Sequence, residues 1–380
     1  MIKWAVFILK MIISQLNLTN FRNYHHVDIT FSPHMNIIIG NNAVGKTNIL
    51  EAISVLALTK SYRNGNEMDM IRFGKMKASI KGKIQDLHSI KRLGIEITTD
   101  KKTVKVNNTV ISKISEYISN LNVVIFTPDD LEIIKGSPTI RRNLLNMELS
   151  QLSEKYLVTY NEYNKILKTR NEYLKILYTN QIADQKYLDI LTQKLVEKAV
   201  FIYQLRSMYI DKINQHIDHI FQRISGNSSL MILYTPNIMI HSYETELLTE
   251  EMLQIYSKNR KRELAAGMTL YGPHRDDFSF FLKNNDMKIY ASQGQQKSAV
   301  LAYKLATIPI FKEYKGTNPV LLLDDIFSEL DINKKNKLLR FISKDIQSII
   351  TTTDLKNISR KSLVDATVFQ VNNGVIEERS

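Results

Sequence analysis

Eight consecutive residues, Gly40-Asn41-Asn42-Ala43-Val44-Gly45-Lys46-Thr47, have the types and spacing to hold phosphate. They satisfy every fixed position of G-x-x-x-x-G-K-[ST]. Glycines let the backbone curl until successive N–H groups point inward at phosphate oxygens. A helix beginning there, with Asn48 in its first turn, turns its positive N-terminus on the same anion. Lys46 then reaches the β and γ phosphates of a nucleoside triphosphate, and Thr47 offers a hydroxyl to Mg²⁺. A second candidate is Leu321-Leu322-Leu323-Asp324-Asp325, an apolar strand ending in two acids. Asp324 would hold Mg²⁺ through its water shell, and Asp325 would serve the attacking water as base or orienter. Two acids in that place can also simply cap a helix. The phosphate loop upstream favours the metal reading. The third candidate is Ser292-Gln293-Gly294-Gln295-Gln296, where small and amide residues precede an apolar-faced helix. A serine and open N–H groups at a helix start can grip a γ-phosphate.

These residues need elements to position them. Met35–Ile39 is a short continuous apolar run, as in a buried parallel strand, and the glycine loop follows at once. Asn48 to Leu58 reads as a helix with Ile49, Leu50, Ile53, Leu56 and Ala57 on one face. The stretch from about 11 to 110 alternates like strands. From about 112 to 265 the pattern is helical. Tyr156, Tyr160, Tyr163, Leu167, Leu174 and Leu177 form one stripe, broken only by Arg170. Leu188, Leu191, Leu195, Ala199, Ile202, Leu205, Tyr209, Ile213 and Ile217 form another, beyond Asn180. The two predict a short antiparallel helical hairpin whose stripes are packing seams. The last region, 266–380, returns to α/β. The expected organisation is residues 1–10 as an extension, 11–111 and 266–380 as two halves of an α/β lobe, and 112–265 as a helical second lobe. The expectation is that Met11 is the true start, or that Met1–Lys10 is a dispensable extension.

Composition narrows the classes. The 380 residues hold no cysteine, so disulfides, thiolate metal sites and cysteine nucleophiles are excluded. A reducing, cytoplasmic setting fits. No apolar stretch reaches the roughly 18–20 residues of a membrane span. The formal net charge is +13, from 51 Lys and Arg against 38 Asp and Glu. With no polybasic run beside an anchor, that excess points to nucleic acid. Lys60, Arg63, Arg72, Lys75 and Lys77 cluster in the first lobe, and Lys101, Lys102 and Lys105 lie on an expected hairpin. Each is a candidate phosphate contact, though a solvated surface charge is the commoner role for such a residue. No base-reading motif is visible, so binding to DNA would be sequence-independent and salt-sensitive.

The order of phosphate loop, helical insertion, Ser-Gln-Gly-Gln-Gln signature and acidic strand, followed by Ser328-Glu329-Leu330-Asp331, resembles the ATP-binding-cassette ATPases. More narrowly the chain resembles the RecF family of bacterial recombination mediators, related to SMC-type heads. The resemblance rests on Leu18-Thr19-Asn20-Phe21-Arg22-Asn23-Tyr24, Gly45 through Ile53, Phe126 through Leu131, Lys135-Gly136-Ser137-Pro138, Gly272-Pro273-His274-Arg275-Asp276-Asp277 and Tyr290 through Gln296. It spans nearly the whole chain from Met11. It implies an α/β cassette-type ATPase head with a helical second lobe. It also implies ATP and Mg²⁺ as ligands, double- and single-stranded DNA as partners, recombination mediators of the RecO/RecR type, and a place in DNA repair, recombination, replication and the SOS response. ATP would be sandwiched between two subunits. Lys46, Thr47, Asp324 and Asp325 act from one; Ser292 and Gly294, with Gln293 and Gln295 beside them, reach the γ-phosphate from the other. ATP closes the dimer on DNA, slow hydrolysis reopens it, and the Asp331 loop couples the two sites. Arg63 looks like an arginine acting in cis on phosphate, or else a surface arginine.

Some positions depart from that pattern. Val44 stands where the family often has glutamine, Lys297 where arginine is common, and Asp325 where many cassettes have glutamate. Thr352, Thr353 and Asp354 occupy the place of a transporter's switch histidine, which leaves the γ-phosphate sensor unassigned. A transporter subunit would need that histidine and a glycine-rich signature. A nuclease-linked ATPase would need a further acidic cluster, and an SMC organiser a far longer coiled coil.

Overall fold

The computed structural model describes residues 10–63, 65–86, 89–179, 184–226, 229–342, 345–355, 365–372 and 374–379. The chain forms two compact units. One comprises the residues up to Leu131 with His219–Ser228 and Lys297–Ser380; the other comprises Glu132–Asp218 and Ser229–Gln296.

The first unit is built on two six-stranded sheets. One is antiparallel, in the spatial order Tyr24–Thr30, Ile12–Phe21, Lys77–Gln85, Ile90–Thr98, Lys102–Val106 and Thr109–Val110. Its strands alternate as half-buried strands do: Ala78, Ile80 and Ile84 face the core while Lys77 and Lys81 face out. The other sheet runs Val375–Arg379, Ala366–Asn372, Met35–Ile39, Ser348–Thr352, Val320–Leu323 and Val123–Phe126. All its pairings are parallel except the edge hairpin of Ala366–Asn372 with Val375–Arg379. Four of these strands are buried on nearly every residue, as a sheet covered on both faces demands. A single core joins the inner faces of both sheets to the helix Lys46–Leu58, through Leu16, Ile80, Ile53, Leu56, Leu322 and Ile349.

Strand order positions the chemistry. Ser348–Thr352 lies between Met35–Ile39 and Val320–Leu323, in register Thr352 to Ile39 and Ile350 to Leu323. The glycine loop leaves the carboxyl end of one flanking strand and Asp324 the carboxyl end of the other. That edge is where open α/β sheets bind ligands.

The second unit holds the helices Pro138–Leu152, Glu154–Thr179 and Thr245–Ala266, most of the long helix Gln185–Ser225, and a three-stranded antiparallel sheet of Leu230–Thr235, Asp277–Leu282 and Asn285–Asp286. The expected hairpin is present and antiparallel. Tyr156 meets Arg206 and Arg170 meets Thr192, so one helix climbs as the other descends. Asn180, the expected divider, lies outside the described residues. Arg170, which interrupts the seam in sequence, is buried and held by Glu263 at 2.6 Å, Thr192 at 3.0 Å and Thr269 at 2.8 Å. Arg206 is likewise buried against Asp276 at 2.8 Å.

The expected joins differ from these units. Val123–Phe126 pairs with Val320–Leu323, which keeps residues 112–131 with the first unit rather than the helical lobe. Residues 266–296 pair and pack with Leu230–Thr235 and stay in the second unit. Lys10, counted with the extension, is buried, and its Nζ lies 3.2 Å from His34 Nδ1. Residues 1–9 lie outside the described residues.

Candidate nucleotide site

The glycine loop has the local geometry its sequence requires. Ala43 (φ 65°) and Gly45 (φ 113°) take left-handed backbone, and the helix Lys46–Leu58 starts on Gly45. Left-handed turns of this kind gather N–H groups into an anion-binding concavity. A Cβ on Gly45 would lie 2.9 Å from the Tyr24 hydroxyl, and one on Gly40 2.6 Å from Val371 O. Both glycines are therefore fixed by crowding. The turn Phe21–Tyr24 braces the loop from one side: Asn23 Nδ2 donates to Val44 O (2.9 Å) and Tyr24 donates to Gly45 O (3.0 Å).

Lys46 is 7% exposed and donates to Gly40 O and Asn41 O, both at 2.7 Å. Burial pulls its ammonium below the ordinary lysine range, against the opposing attraction of Asp325 and Asp324. A cation held dry beside a cradle of N–H groups fits a polyphosphate. Asn42 is exposed at the loop's tip, while Asn48 sits on the helix start and donates to Asn23 Oδ1 at 2.8 Å.

Asp324 is the hub of the site. Its Oδ1 accepts from Thr47 Oγ1 at 2.9 Å and from Thr351 Oγ1 at 2.8 Å, and its Oδ2 accepts from Tyr62 at 3.2 Å. Burial first, then Asp324 and Glu51, hold the Tyr62 hydroxyl above its ordinary range, so it stays a donor. Thr47 and Asp324 present two hard oxygens from opposite sides of one small space. That pair suits Mg²⁺, which takes few protein ligands and completes its shell with phosphate and water. Among the described residues no cluster of three or more His, Asp and Glu could hold a metal alone. Asp325 adopts φ 47°, a left-handed conformation unusual outside glycine, and its N–H donates to Thr351 Oγ1 at 2.9 Å. Thr351 thus fixes both acids at once.

Arg63 donates to Asn48 Oδ1 at 2.9 Å and lies 3.4 Å from Glu51 Oε2. It therefore stands beside the loop. Glu51 is fully buried and bound by Arg22 through two bonds of 2.9 and 2.5 Å and by Ser61 at 2.6 Å. Ser292, Gln293 and Gly294 belong to the second unit, exposed at the start of the helix Gln293–Lys315. Ser292 Oγ accepts from Gln295 N at 3.3 Å, and Gln295 Oε1 accepts from Ser292 N at 2.9 Å, a reciprocal capping box. The signature residues are therefore brought together with one another. Asp331 caps the helix Ile332–Phe341 through Lys334 N at 2.9 Å.

The family model described as the RecF/RecN/SMC N terminal domain matches residues 12–377. The chain belongs to the RecF family. It is 40% identical over 371 residues to the DNA replication and repair protein RecF of Halalkalibacterium halodurans, covering 97% of this chain and all of that one. The RecF of Listeria monocytogenes is 40% identical over 369 residues, with the same coverage. Among solved structures, the recombination mediator protein RecF with ATP in the RecFOR pathway superposes with a TM-score of 0.90 at 29% identity over the full length of both chains. The Smc head domain of Pyrococcus furiosus shares the fold at a TM-score of 0.55 and 18% identity. The α/β cassette-type head is therefore shown.

In this RecF-family chain, sequence reasoning missed Glu51, Arg22, Tyr62 and Thr351. A lone carboxylate on the buried face of the loop helix was the visible signal for Glu51. Thr351 had none, because its partner is set by strand order. Of the cationic candidates, Lys102 turns inward to Thr59 O (2.8 Å) and to Glu67, which removes it as a phosphate contact. Among the described residues no helix is long and apolar enough to cross a membrane.

Proposed function

We propose that this chain is an ATP-gated DNA-binding protein of replication and recombinational repair, closing as a homodimer on DNA when ATP binds and reopening on slow hydrolysis. The observation that carries the reading is the convergence of Lys46, Thr47 and Asp324 at the carboxyl edge of the parallel sheet, held in place by Thr351 and Tyr62. ATP would lie on the loop's N–H groups with Lys46 against its terminal phosphates. Mg²⁺, which neutralises charge on the β and γ oxygens, would be held by Thr47 and Asp324. Asp325 orients the attacking water and Arg63 lies within reach of phosphate. Ser292 and Gly294 of a second copy would complete the site. Their exposure at the start of the long helix Gln293–Lys315 supports a role toward another molecule. The RecF structure with ATP supports the nucleotide, and its description in the RecFOR pathway supports RecO- and RecR-type partners.

Sedimentation velocity tests this. With ATP and Mg²⁺ the mass doubles, and Lys46→Ala stays monomeric under the same conditions. A normal protein whose mass ignores nucleotide would refute the dimer switch.

A further inference from the structure

The outward face of the antiparallel sheet carries cations that the nucleotide site does not use. Register places Lys81 opposite Asn17 on one side and Gly94 on the other, with Lys105 opposite Gly94. One step along the strand, Lys83 lies between Gln15 and Arg92. All of these positions point away from the core, since Ile80, Ile84, Leu93, Ile95 and Val104 take the buried side. Neighbouring strands are about 4.8 Å apart, and alternate residues about 6.8 Å apart along a strand. Lys81, Lys83, Arg92 and Lys105 therefore occupy one patch of roughly 10 by 7 Å.

Two acids share the face. Glu96 holds Lys77 at 3.2 Å and Lys105 at 3.1 Å. Asp28, on the edge strand, is engaged by Asn17 and His26. Among the described residues no acid pairs with Lys81, Lys83 or Arg92. Gly94 lies in the middle of the patch. A Cβ there would meet only Lys105 Cβ, at 3.7 Å, so no crowding requires glycine. Glycine inside a strand weakens it and marks places where another backbone comes close. Here it leaves an open floor between two lysines.

We propose that this sheet face is where the chain meets the sugar–phosphate backbone of duplex DNA. The inference rests on the DNA-binding reading above and adds the surface to it. Cations spaced at strand intervals across a sheet face match a regular polyanion rather than a single small anion. Contacts to phosphate position a protein without reading sequence, and they are released by salt.

The test compares the full-length protein with the Lys81→Gln, Lys83→Gln, Arg92→Gln triple variant on one duplex between 50 and 200 mM salt. Each lost phosphate contact removes about 0.9 from the log–log salt slope, so the triple variant loses about 2 to 3. Its affinity at 100 mM salt falls at least tenfold. Gly94→Glu, which puts an anion on the open floor, gives a loss of the same order. A control triple, Lys194→Gln, Lys258→Gln, Lys261→Gln, removes the same charge from exposed helix positions of the second unit and leaves the slope in place. ATP-driven dimer mass is unchanged in every variant, which separates a lost surface from a lost fold. A normal slope in the sheet-face variant, or an equal loss in both triples, overturns the proposal. A normal protein that binds no duplex at any salt overturns the DNA reading beneath it.

Discussion

Replacing Thr351 by valine removes one hydroxyl and keeps the side-chain shape. That hydroxyl donates to Asp324 Oδ1 at 2.8 Å and accepts from Asp325 N at 2.9 Å, and Thr351 is fully buried. A hydrogen bond to a charged group contributes about 1.5–3 kcal/mol, and a buried N–H left without an acceptor costs about 1–3 kcal/mol. Asp324 keeps Thr47 and Tyr62 as donors, so the lower ends apply and the sum is about 2.5 kcal/mol. For a unit of this size that corresponds to a fall of roughly 5–10 °C in melting temperature. Calorimetry of the apo protein reads it. Asp324 also loses one of three groups fixing its carboxylate. The Mg²⁺ concentration for half-maximal ATP affinity should then rise about tenfold, equivalent to about 1.4 kcal/mol. Thr351→Ser, which keeps the hydroxyl, restores most of both. A melting temperature within about 1 °C of normal, with an unshifted Mg²⁺ titration, would refute the claim that this residue fixes the two acids.

Three further outcomes are expected. Asp325→Asn keeps the ATP-driven dimer but slows its dissociation after ATP is withdrawn, measured by sedimentation; a normal hydrolysis rate would remove Asp325 from its role. Arg170→Met leaves Glu263 buried without its cation and costs about 3–5 kcal/mol in urea unfolding, whereas adding Glu263→Leu recovers most of the loss. Burial lowers His274 to about 4 from an ordinary 6.5. Its contribution is therefore complete above pH 6.5 and lost as pH falls toward 4, on the order of 3 kcal/mol in all. Asp276 beside it is raised by burial and works in the opposite sense, so the His274 share is read as the difference between normal protein and His274→Gln across that window.

The parts of the site legible in sequence were those whose geometry is local. The glycine loop specifies its own left-handed turns, and an apolar run ending in Asp324 specifies a strand end. What joins them was not local. Asp324 is 262 residues from Tyr62 and 277 from Thr47, and Thr351 reaches it only because its strand inserts between the two flanking strands. The helical seam was legible from its stripes, but Arg170 read as a defect because Glu263 lies 93 residues away. The joins near 111 and 266 shifted because Val123–Phe126 pairs with a strand almost 200 residues later. The scattered lysines could not be sorted by sequence, since inward Lys102 and outward Lys105 differ only in the sheet's register.

In the function proposed for this chain, ATP sets the grip on DNA. The direct measurement is the affinity of the normal protein for duplex, single-stranded and gapped DNA, with and without ATP and Mg²⁺, at one salt concentration. Nucleotide is predicted to tighten binding to at least one of these at least tenfold, and Lys46→Ala to show no such change. Equal affinity on all three substrates in the presence and absence of ATP would contradict it.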